Sequence, residues 1–455
     1  MATVLESAGP WVECLAYEQL PEPVIQTTKR AVLDFIGVAL AGSEHELTPV
    51  LLDYLGVTGA ADTAAAGLIG RSERASIEGA AFINSVFGHV LDFDDSSDTL
   101  LGHPTVVILP PLLALGETRH RSGQELITAY VAGVEVAAHI GKQMNIAHYE
   151  RGWHPTATLA IFGTAAAAAK LLGLTAAGIA NALAIVSAFP SGTRSSFGTH
   201  MKSIQVGEAA RRGLTAALLA SAGVEGNLAA FEDQQGFAAS YNGSDGFAQK
   251  TFDVSSSRTW DLIDPGLVIK QYPCCASAHS AVDAAIDLRR ELRPDDIVEK
   301  VRIRLHPRRL RHTNNPKPAS PLEAKFSVQY AVAVALNSGA VTLGDFDQDA
   351  LRRPALVELV AKTTAEALPQ QDYGPEHYAA EVELRLGDGS TRQRRVEKAR
   401  GRGTKLALTD AEVEQKFHTC ADPVLGAGNA TTVLTTIMAL ETSADLATLM
   451  HAVVP

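Results

Sequence analysis

The order of hydrophobic patterns along the chain constrains its fold more than any other feature. Up to about residue 295, apolar residues recur at helical spacing and no β-rich stretch interrupts them. We therefore expect the first part of the chain to form a large helical domain. The predicted helices of this part are Pro23–Ala41, Ile77–Leu91, Gln124–Val136, Thr156–Leu172, Ala176–Ala188 and Ile204–Gly223.

The pattern then changes to one typical of strands. Val298–Leu305 alternates apolar and charged residues, as a half-buried strand does. Ala380–Leu386 and Thr391–Val396 flank a Gly-Asp-Gly-Ser turn and predict a hairpin. Further helices are predicted at Pro321–Asn337, Ala355–Glu366, Asp410–Phe417 and Asn429–Leu440.

The return of helical patterns near the end of the chain indicates an insertion. The predicted fold is mainly α, a large discontinuous all-helical domain that carries an inserted smaller α+β domain. The expected boundaries are 1–266 and 401–455 for the helical domain and 267–400 for the inserted domain.

The composition indicates which kinds of molecule the protein can bind and in which cellular compartment it folds. The net charge of −12 argues against nucleic acid or an anionic membrane surface, while a small anionic substrate stays possible. Cys14, Cys274, Cys275 and Cys420 form no disulfide framework, which favours a reducing cytoplasm, and the first residues lack a signal-peptide pattern. Leu171–Thr193 is uncharged, but glycines and a proline break it, so we expect buried helices there and no membrane span.

An acidic segment followed by an imidazole is the strongest chemical signal. Asp92–Asp95 holds three carboxylates in four positions, and His103 lies just where an apolar segment begins. Carboxylate and imidazole at such a transition suggest proton transfer. Two alternatives are a solvated acidic turn and a metal site that includes His89, which would need further ligands from elsewhere.

Two further segments suggest contact with an anion. His154 precedes a predicted helix, where unpaired N–H groups and the helix dipole attract anions and lower an imidazole pKa. Lys202 is a single cation at the start of a helix rich in small residues, and a substrate carboxylate could pair with it. The alternatives are a partly buried helix boundary and a lysine that reaches solvent.

The last two motifs lie near the point where helical patterns give way to strand patterns. Lys270–His279 contains an adjacent cysteine pair at a domain boundary, where clefts form. A nucleophilic cysteine paired with His279 is one alternative. Lys325–Tyr330 places Lys325 one helical turn before Gln329, and Tyr330 could equally be an ordinary packed residue.

Taken in order, these motifs resemble the MmgE/PrpD family, which includes 2-methylcitrate dehydratase, cis-aconitate decarboxylase and iminodisuccinate epimerase. The resemblance implies a helical domain, a smaller lid domain, a site between them, a homodimer and catalysis without a cofactor. The segments that carry it are Leu33–Ser43, Asn84, His89–Asp95, His103-Pro104, Gly152–Thr156, Lys202, Gly207–Ala210, Lys270–Pro273, His279 and Lys325–Tyr330.

The resemblance also implies roles for single residues. His103, oriented by Asp92, is expected to be the acid/base, with Lys202 offsetting charge that develops on the substrate and Tyr330 handling a second proton. Asp94 and Asp95 are expected only to hold the turn. The residues expected to bind substrate are His154, Lys270, Ser96, Cys275 and His279.

The expected activity is that of a cofactor-independent lyase or epimerase for a small di- or tricarboxylate. Proton abstraction next to a carboxylate would give a dehydratase or an iminodisuccinate-epimerase-like enzyme. A cis-aconitate-type decarboxylase and a non-catalytic carboxylate-binding protein are the alternatives. Cys275 stands where decarboxylases of the family carry histidine, which weakens decarboxylation as the reaction.

Overall fold

The computed structural model describes residues 2–58, 66–244, 246–247, 252, 259–373 and 377–455. The fold is mainly α, as predicted. The α-helices of these residues are α1 (Val4–Cys14), α2 (Glu22–Ser43), α3 (Thr48–Thr58), α4 (Ile77–Val90), α5 (Thr105–Thr118), α6 (Gly123–Met144), α7 (Ala147–Glu150), α8 (Pro155–Thr158), α9 (Ala160–Leu171), α10 (Ala176–Val186), α11 (Met201–Ser221), α12 (Phe237–Asn242), α13 (His279–Glu291), α14 (Pro307–Leu310), α15 (Pro321–Lys325), α16 (Val328–Ser338), α17 (Pro354–Ala361), α18 (Asp410–Leu425), α19 (Ala427–Met438) and α20 (Ala447–Ala452).

The chain divides into two compact units. The first comprises the described residues of Met1–Ser195, Met201–Ile269 and Thr409–Pro455. The second comprises Ser196–His200 and the described residues of Lys270–Leu408.

Close helix packing builds the first unit. Each of Gly133 in α6 and Gly163 in α9 lets its helix approach the other, because a Cβ on Gly133 would lie 2.8 Å from the Gly163 carbonyl oxygen. Ser122 starts α6 with a capping box, in which its backbone N–H donates to Glu125 Oε2 at 2.8 Å. No helix in the described part of the chain is both long and apolar enough to cross a membrane.

The helices predicted for this unit are present, with one break. Pro23–Ala41 and Ile77–Leu91 correspond to α2 and α4 within two residues at each end. The predicted helix Thr156–Leu172 is interrupted at Leu159, so that α8 and α9 are separate.

A four-stranded sheet forms the β part of the second unit. Its strands are β5 (Val298–Leu305), β6 (Thr363–Ala367), β7 (Ala380–Leu386) and β8 (Thr391–Val396), in the order β6-β5-β7-β8. The β5–β6 pair is parallel and the other two pairs are antiparallel. The predicted strand at β5 and the predicted hairpin of β7 and β8 are confirmed with the same bounds. The inward residues Val301, Ile303 and Leu305 join the core that α13 and α16 complete.

Two helix predictions for this unit were partly wrong. The segment Ala355–Glu366 is helical only to Ala361, after which β6 pairs with β5. The ladder with a neighbouring strand offers residues 363–367 a hydrogen-bonding partner that local propensity cannot reveal. The segment Pro321–Asn337 breaks because the Ser327 hydroxyl caps α16 by accepting from the Tyr330 N–H at 3.0 Å.

Short ladders occur in the first unit as well. These are β1 (Ala66–Gly67) with β2 (Arg74–Ala75), and β3 (Ser96–Ser97) with β4 (Leu267–Val268). The second ladder pairs Ser96 with Val268 and fixes the segment that joins α4 to α5. That segment carries the acidic residues and His103.

Candidate active site

The α4–α5 connection turns sharply at two points. Asp92 has a φ of 52° and Leu101 a φ of 53°, both in the left-handed region, which Asp tolerates better than most residues. Ser97 N–H donates to the Gly102 carbonyl at 2.8 Å and closes the loop. The His103 backbone N–H donates to Thr156 Oγ1 at 3.1 Å, which ties the start of α5 to α8. The later half of the connection is thus held in place.

Asp94 lies between two imidazoles. Its Oδ2 lies 2.8 Å from His89 Nδ1 and 3.1 Å from His103 Nδ1. The exposed fractions of the Asp94 and His89 side chains are 1% and 0%, whereas that of His103 is 14%. Of these three side chains, His103 is therefore the one that a small molecule can reach.

The ammonium of Lys202 joins the same group from α11. Its Nζ lies 2.6 Å from His89 Nε2 and 2.6 Å from Asp92 Oδ1. All of these side chains are buried. The structure therefore contains a continuous series of contacts that runs from Asp92 through Lys202, His89 and Asp94 to His103.

These contacts fix the tautomer of His89. An ammonium can only donate, so His89 Nε2 accepts and His89 Nδ1 carries the proton that it donates to Asp94. His103 Nδ1 is buried and lies 3.1 Å from the same carboxylate oxygen, at ion-pair distance. The second nitrogen of His103, Nε2, is then the one that can accept or deliver a proton.

The pKa values agree with this assignment. Burial lowers the pKa of His89 to about 4, so this imidazole is neutral near pH 7. Burial alone would raise the pKa of Asp94, but His103 and His89 outweigh it and hold this pKa well below its usual range. Asp94 is therefore ionised; it accepts a hydrogen bond from His89 and lies at ion-pair distance from His103.

His154 is a neutral imidazole beside this group. Burial, followed by the charge of Lys202, lowers its pKa well below the usual range. Its Nδ1 lies 3.1 Å from Gln205 Oε1, and its ring centroid lies 6.1 Å from that of His89. The helix that it precedes, α8, has only four residues, so burial and nearby charge act on His154 more than a helix dipole does.

Asp95 belongs to a separate buried network. Thr105 Oγ1 donates to Asp95 Oδ2 and lies 2.6 Å from the Tyr130 hydroxyl. Burial, with Asp34 nearby, raises the pKa of Asp95 to about 8. Lys416 Nζ lies 2.5 Å from Asp34 Oδ1 and donates to the Phe93 carbonyl at 2.8 Å. This second contact ties the acidic segment Asp92–Asp95 to α18.

The structure corrects two sequence-based roles. Asp92 was expected to orient His103, but Asp94 lies at His103 Nδ1 and Asp92 instead contacts Lys202. Asp94 was expected only to hold the turn, yet it binds both imidazoles. The i, i+5 spacing of His89 and Asp94 across a helix end was the available signal; from the sequence, His89 was a possible metal ligand and part of the resemblance, with no role beside His103.

His103, Asp92, His154 and Lys202 are thus brought together in the first unit. Ser96 lies in β3 of the same unit and is buried. The second unit holds Lys270, which is buried, and Cys275, which is half-buried. The other predicted site residues of that unit contact backbone carbonyls.

The first of these is His279, whose Nε2 donates to the Cys274 carbonyl at 3.1 Å. The second is Tyr330, whose hydroxyl donates to the Asp345 carbonyl at 2.6 Å. Burial raises the pKa of Tyr330 above its usual value, so its hydroxyl is a poor proton donor in this arrangement.

A metal ion is an alternative occupant of part of the site. His89, Asp94 and His103 each offer a ligand atom, and these atoms lie within 4.8 Å of one another. A divalent cation there would have to displace the proton that His89 Nδ1 donates to Asp94. The hydrogen bonds account for the same arrangement without an ion.

Sequence comparison agrees with the resemblance. Residues 7–250 match the MmgE/PrpD N-terminal domain and residues 272–442 match the MmgE/PrpD C-terminal domain. The chain therefore belongs to the MmgE/PrpD family.

Individual proteins in the comparison are similar over nearly their full lengths. A cis-aconitate decarboxylase of Homo sapiens is 29% identical over 463 residues, which cover 99% of this chain and 94% of that protein. A cis-aconitate decarboxylase of Aspergillus terreus is 26% identical over 467 residues, with coverages of 97% and 94%. A cis-aconitate decarboxylase-like protein of Aspergillus oryzae is 26% identical over 468 residues, with coverages of 97% and 95%.

Proposed function

We propose that this chain is a cofactor-independent lyase or epimerase that moves a proton at a carbon next to a carboxylate of a small di- or tricarboxylate. The observation that carries the proposal is the pairing of His103 Nδ1 with the buried Asp94 carboxylate. This pairing leaves His103 Nε2 as the reactive nitrogen. Proton transfer by a positioned imidazole contributes about 10²–10⁴-fold to a rate.

His103 would serve two kinds of reaction with the same nitrogen. In a dehydration, neutral His103 Nε2 takes the proton from carbon, the C–O bond breaks, and the hydroxyl leaves as water with a proton returned by the imidazolium. In an epimerisation, the carbanion instead takes a proton from solvent on the opposite face. Asp94 stabilises the imidazolium that forms in both reactions. In a decarboxylation, the C–C bond to the departing carboxylate breaks and its electron pair shifts through an adjacent double bond. The distal carbon then takes a proton from His103 imidazolium, and solvent resupplies that proton.

Charge on the substrate is the main obstacle to either reaction. An enediolate that forms next to a carboxylate needs donors or cations at the oxygen atoms. Lys202 is a buried ammonium, and His154 is a neutral imidazole near it. We assign to these two residues the binding of a substrate carboxylate.

Cis-aconitate is the first substrate to test. The full-length similarity to cis-aconitate decarboxylases supports this choice. Cys275, which replaces the histidine of family decarboxylases, supports dehydration or epimerisation instead. The two observations favour different reactions on chemically similar substrates, so a single experiment should cover both.

The experiment offers cis-aconitate, citrate, 2-methylcitrate and iminodisuccinate to the protein in deuterated water. NMR would follow both products and exchange of the hydrogen next to a carboxylate. Release of CO₂ with a deuterium-labelled product identifies the decarboxylase, and loss or gain of water identifies the dehydratase. Inversion with deuterium uptake identifies the epimerase.

His103→Asn is the decisive variant. We expect at least about a 100-fold loss of turnover, because no other group holds the basic nitrogen. The matched control is His120→Asn, since His120 is a surface histidine with a φ of 51° that Asn tolerates. Binding of cis-aconitate without turnover or exchange would support the non-catalytic alternative, and unchanged turnover in His103→Asn would overturn the mechanism.

A further inference from the structure

We propose that His89 is a positioning residue that sets both the Asp94–His103 pair and the ammonium of Lys202 through its two ring nitrogens. This inference deepens the proposed function and rests on it for its kinetic part. It assigns to His89 a role in proton transfer that requires no contact with substrate.

The two contacts of His89 are the first argument. Its Nδ1 lies 2.8 Å from Asp94 Oδ2, and its Nε2 lies 2.6 Å from Lys202 Nζ. The side chain has no exposed surface. Because both nitrogens are engaged by protein groups, His89 cannot itself exchange a proton with a substrate.

The direction of the hydrogen bonds is the second argument. His89 accepts from Lys202 and donates to Asp94, so it joins a cation to a carboxylate without carrying a charge. A lysine in its place would add a charge to the buried group, and a leucine would leave Asp94 one donor short. An imidazole with one donor and one acceptor matches both neighbours.

The position of His89 in the fold is the third argument. It lies in the last turn of α4, where a buried Gly88 lets the helix pack closely. A Cβ on Gly88 would lie 2.4 Å from the Phe35 ring. The ring of His89 meets that of His103 edge-on with centroids 4.8 Å apart. A displacement of His89 would therefore be transmitted to His103 both by packing and through Asp94.

Two substitutions separate the two contacts. In His89→Asn the amide lies near the position of Nδ1, so it can still donate to Asp94 but cannot reach Lys202. In His89→Gln the amide oxygen lies near the position of Nε2, so it can still accept from Lys202 but leaves Asp94 with one donor fewer. We expect His89→Gln to lower kcat on the order of 100-fold with little change in KM, because the acid/base is displaced.

His89→Asn should change KM more than kcat. With Lys202 released from His89, carboxylate binding weakens, so KM rises about tenfold while kcat falls less. The matched controls are His148→Asn and His148→Gln, because His148 is buried and its ring nitrogens contact Asn242 and Thr158. We expect both control variants to lose stability, without one of them lowering kcat and the other raising KM. An equal fall of kcat in both His89 variants would overturn the proposal.

A measurement on the free protein separates this proposal from the proposed function. With ¹⁵N-labelled histidine, we expect His89 to be protonated at Nδ1 and unprotonated at Nε2. In His89→Gln the His103 signals should shift, and in both His148 variants they should not. A protonated Nε2 on His89 would overturn the proposal whether or not any carboxylate is turned over.

Discussion

Asp95 provides the sharpest test of the electrostatics behind the site. Burial raises the pKa of its carboxyl to about 8, against an ordinary value of 3.8. Asp95→Asn keeps the shape and an oxygen that accepts from Thr105, but it cannot ionise. Comparison with the variant therefore isolates the part of the free energy of unfolding that depends on the protonation of Asp95.

The sign follows from proton binding. Between the two pKa values the native state holds a proton on Asp95 and the unfolded state does not, so the folded state is favoured at low pH. This contribution is complete below the ordinary pKa and is lost as the pH rises through 4 to about 8. At about 1.4 kcal/mol per pH unit, the variant should gain up to about 2.7 kcal/mol relative to the native protein from pH 5.5 to pH 7.5.

Urea unfolding followed by circular dichroism at the two pH values measures this difference. Equal m-values for the two proteins at each pH would show that the same transition is compared. Asp53→Asn on the exposed surface of α3 is the matched control for the loss of a carboxylate outside the buried network. A constant difference for Asp95→Asn would show that Asp95 is already ionised and would refute the reasoning.

Two substitutions test the packing that supports the site. Lys416→Met leaves the buried carboxylate of Asp34 without its ammonium partner, and the free energy of unfolding in urea should fall by about 3–5 kcal/mol. Adding Asp34→Asn to this variant should restore part of the lost stability. Gly42→Ala should cost about 3 kcal/mol, because its Cβ would lie 1.9 Å from the Phe87 carbonyl oxygen, whereas Gly56→Ala meets no atom within 4 Å and should be neutral or stabilising. A loss below about 1 kcal/mol for either destabilising variant would contradict the packing argument.

The spacing of apolar residues predicted most helices and strands correctly, because in these elements the side chains that face the core recur at the period of the element itself. Val298–Leu305 alternates strictly, and its inward residues form the core of the second unit. The segment 363–367 was assigned to a helix because its residues carry no period-2 signal strong enough to compete. Its strand exists because β5 supplies hydrogen-bonding partners more than 60 positions earlier in the chain.

The chemistry of the site was predictable only in part for a similar reason. The sequence identifies Asp92, Asp94 and His103 as candidates, but not which carboxylate meets the imidazole. That choice depends on the left-handed backbone of Asp92, which turns Asp94 toward α4. Lys202 comes from 110 positions away, and its contact with Asp92 is decided by tertiary packing alone.

Three carboxylates in four positions raise a physical problem that the structure resolves in three different ways. Asp92 is ion-paired with Lys202, and Asp94 accepts from His89 and lies at ion-pair distance from His103. Asp95 avoids the repulsion by keeping its proton, because burial raises its pKa to about 8. Its donor among the described residues is the Thr105 hydroxyl. Because each carboxylate has its own solution, the segment can be buried without three uncompensated charges. Of the three, only Asp94 remains ionised beside an imidazole that is partly exposed, and this is why the reactive role falls to Asp94 and His103.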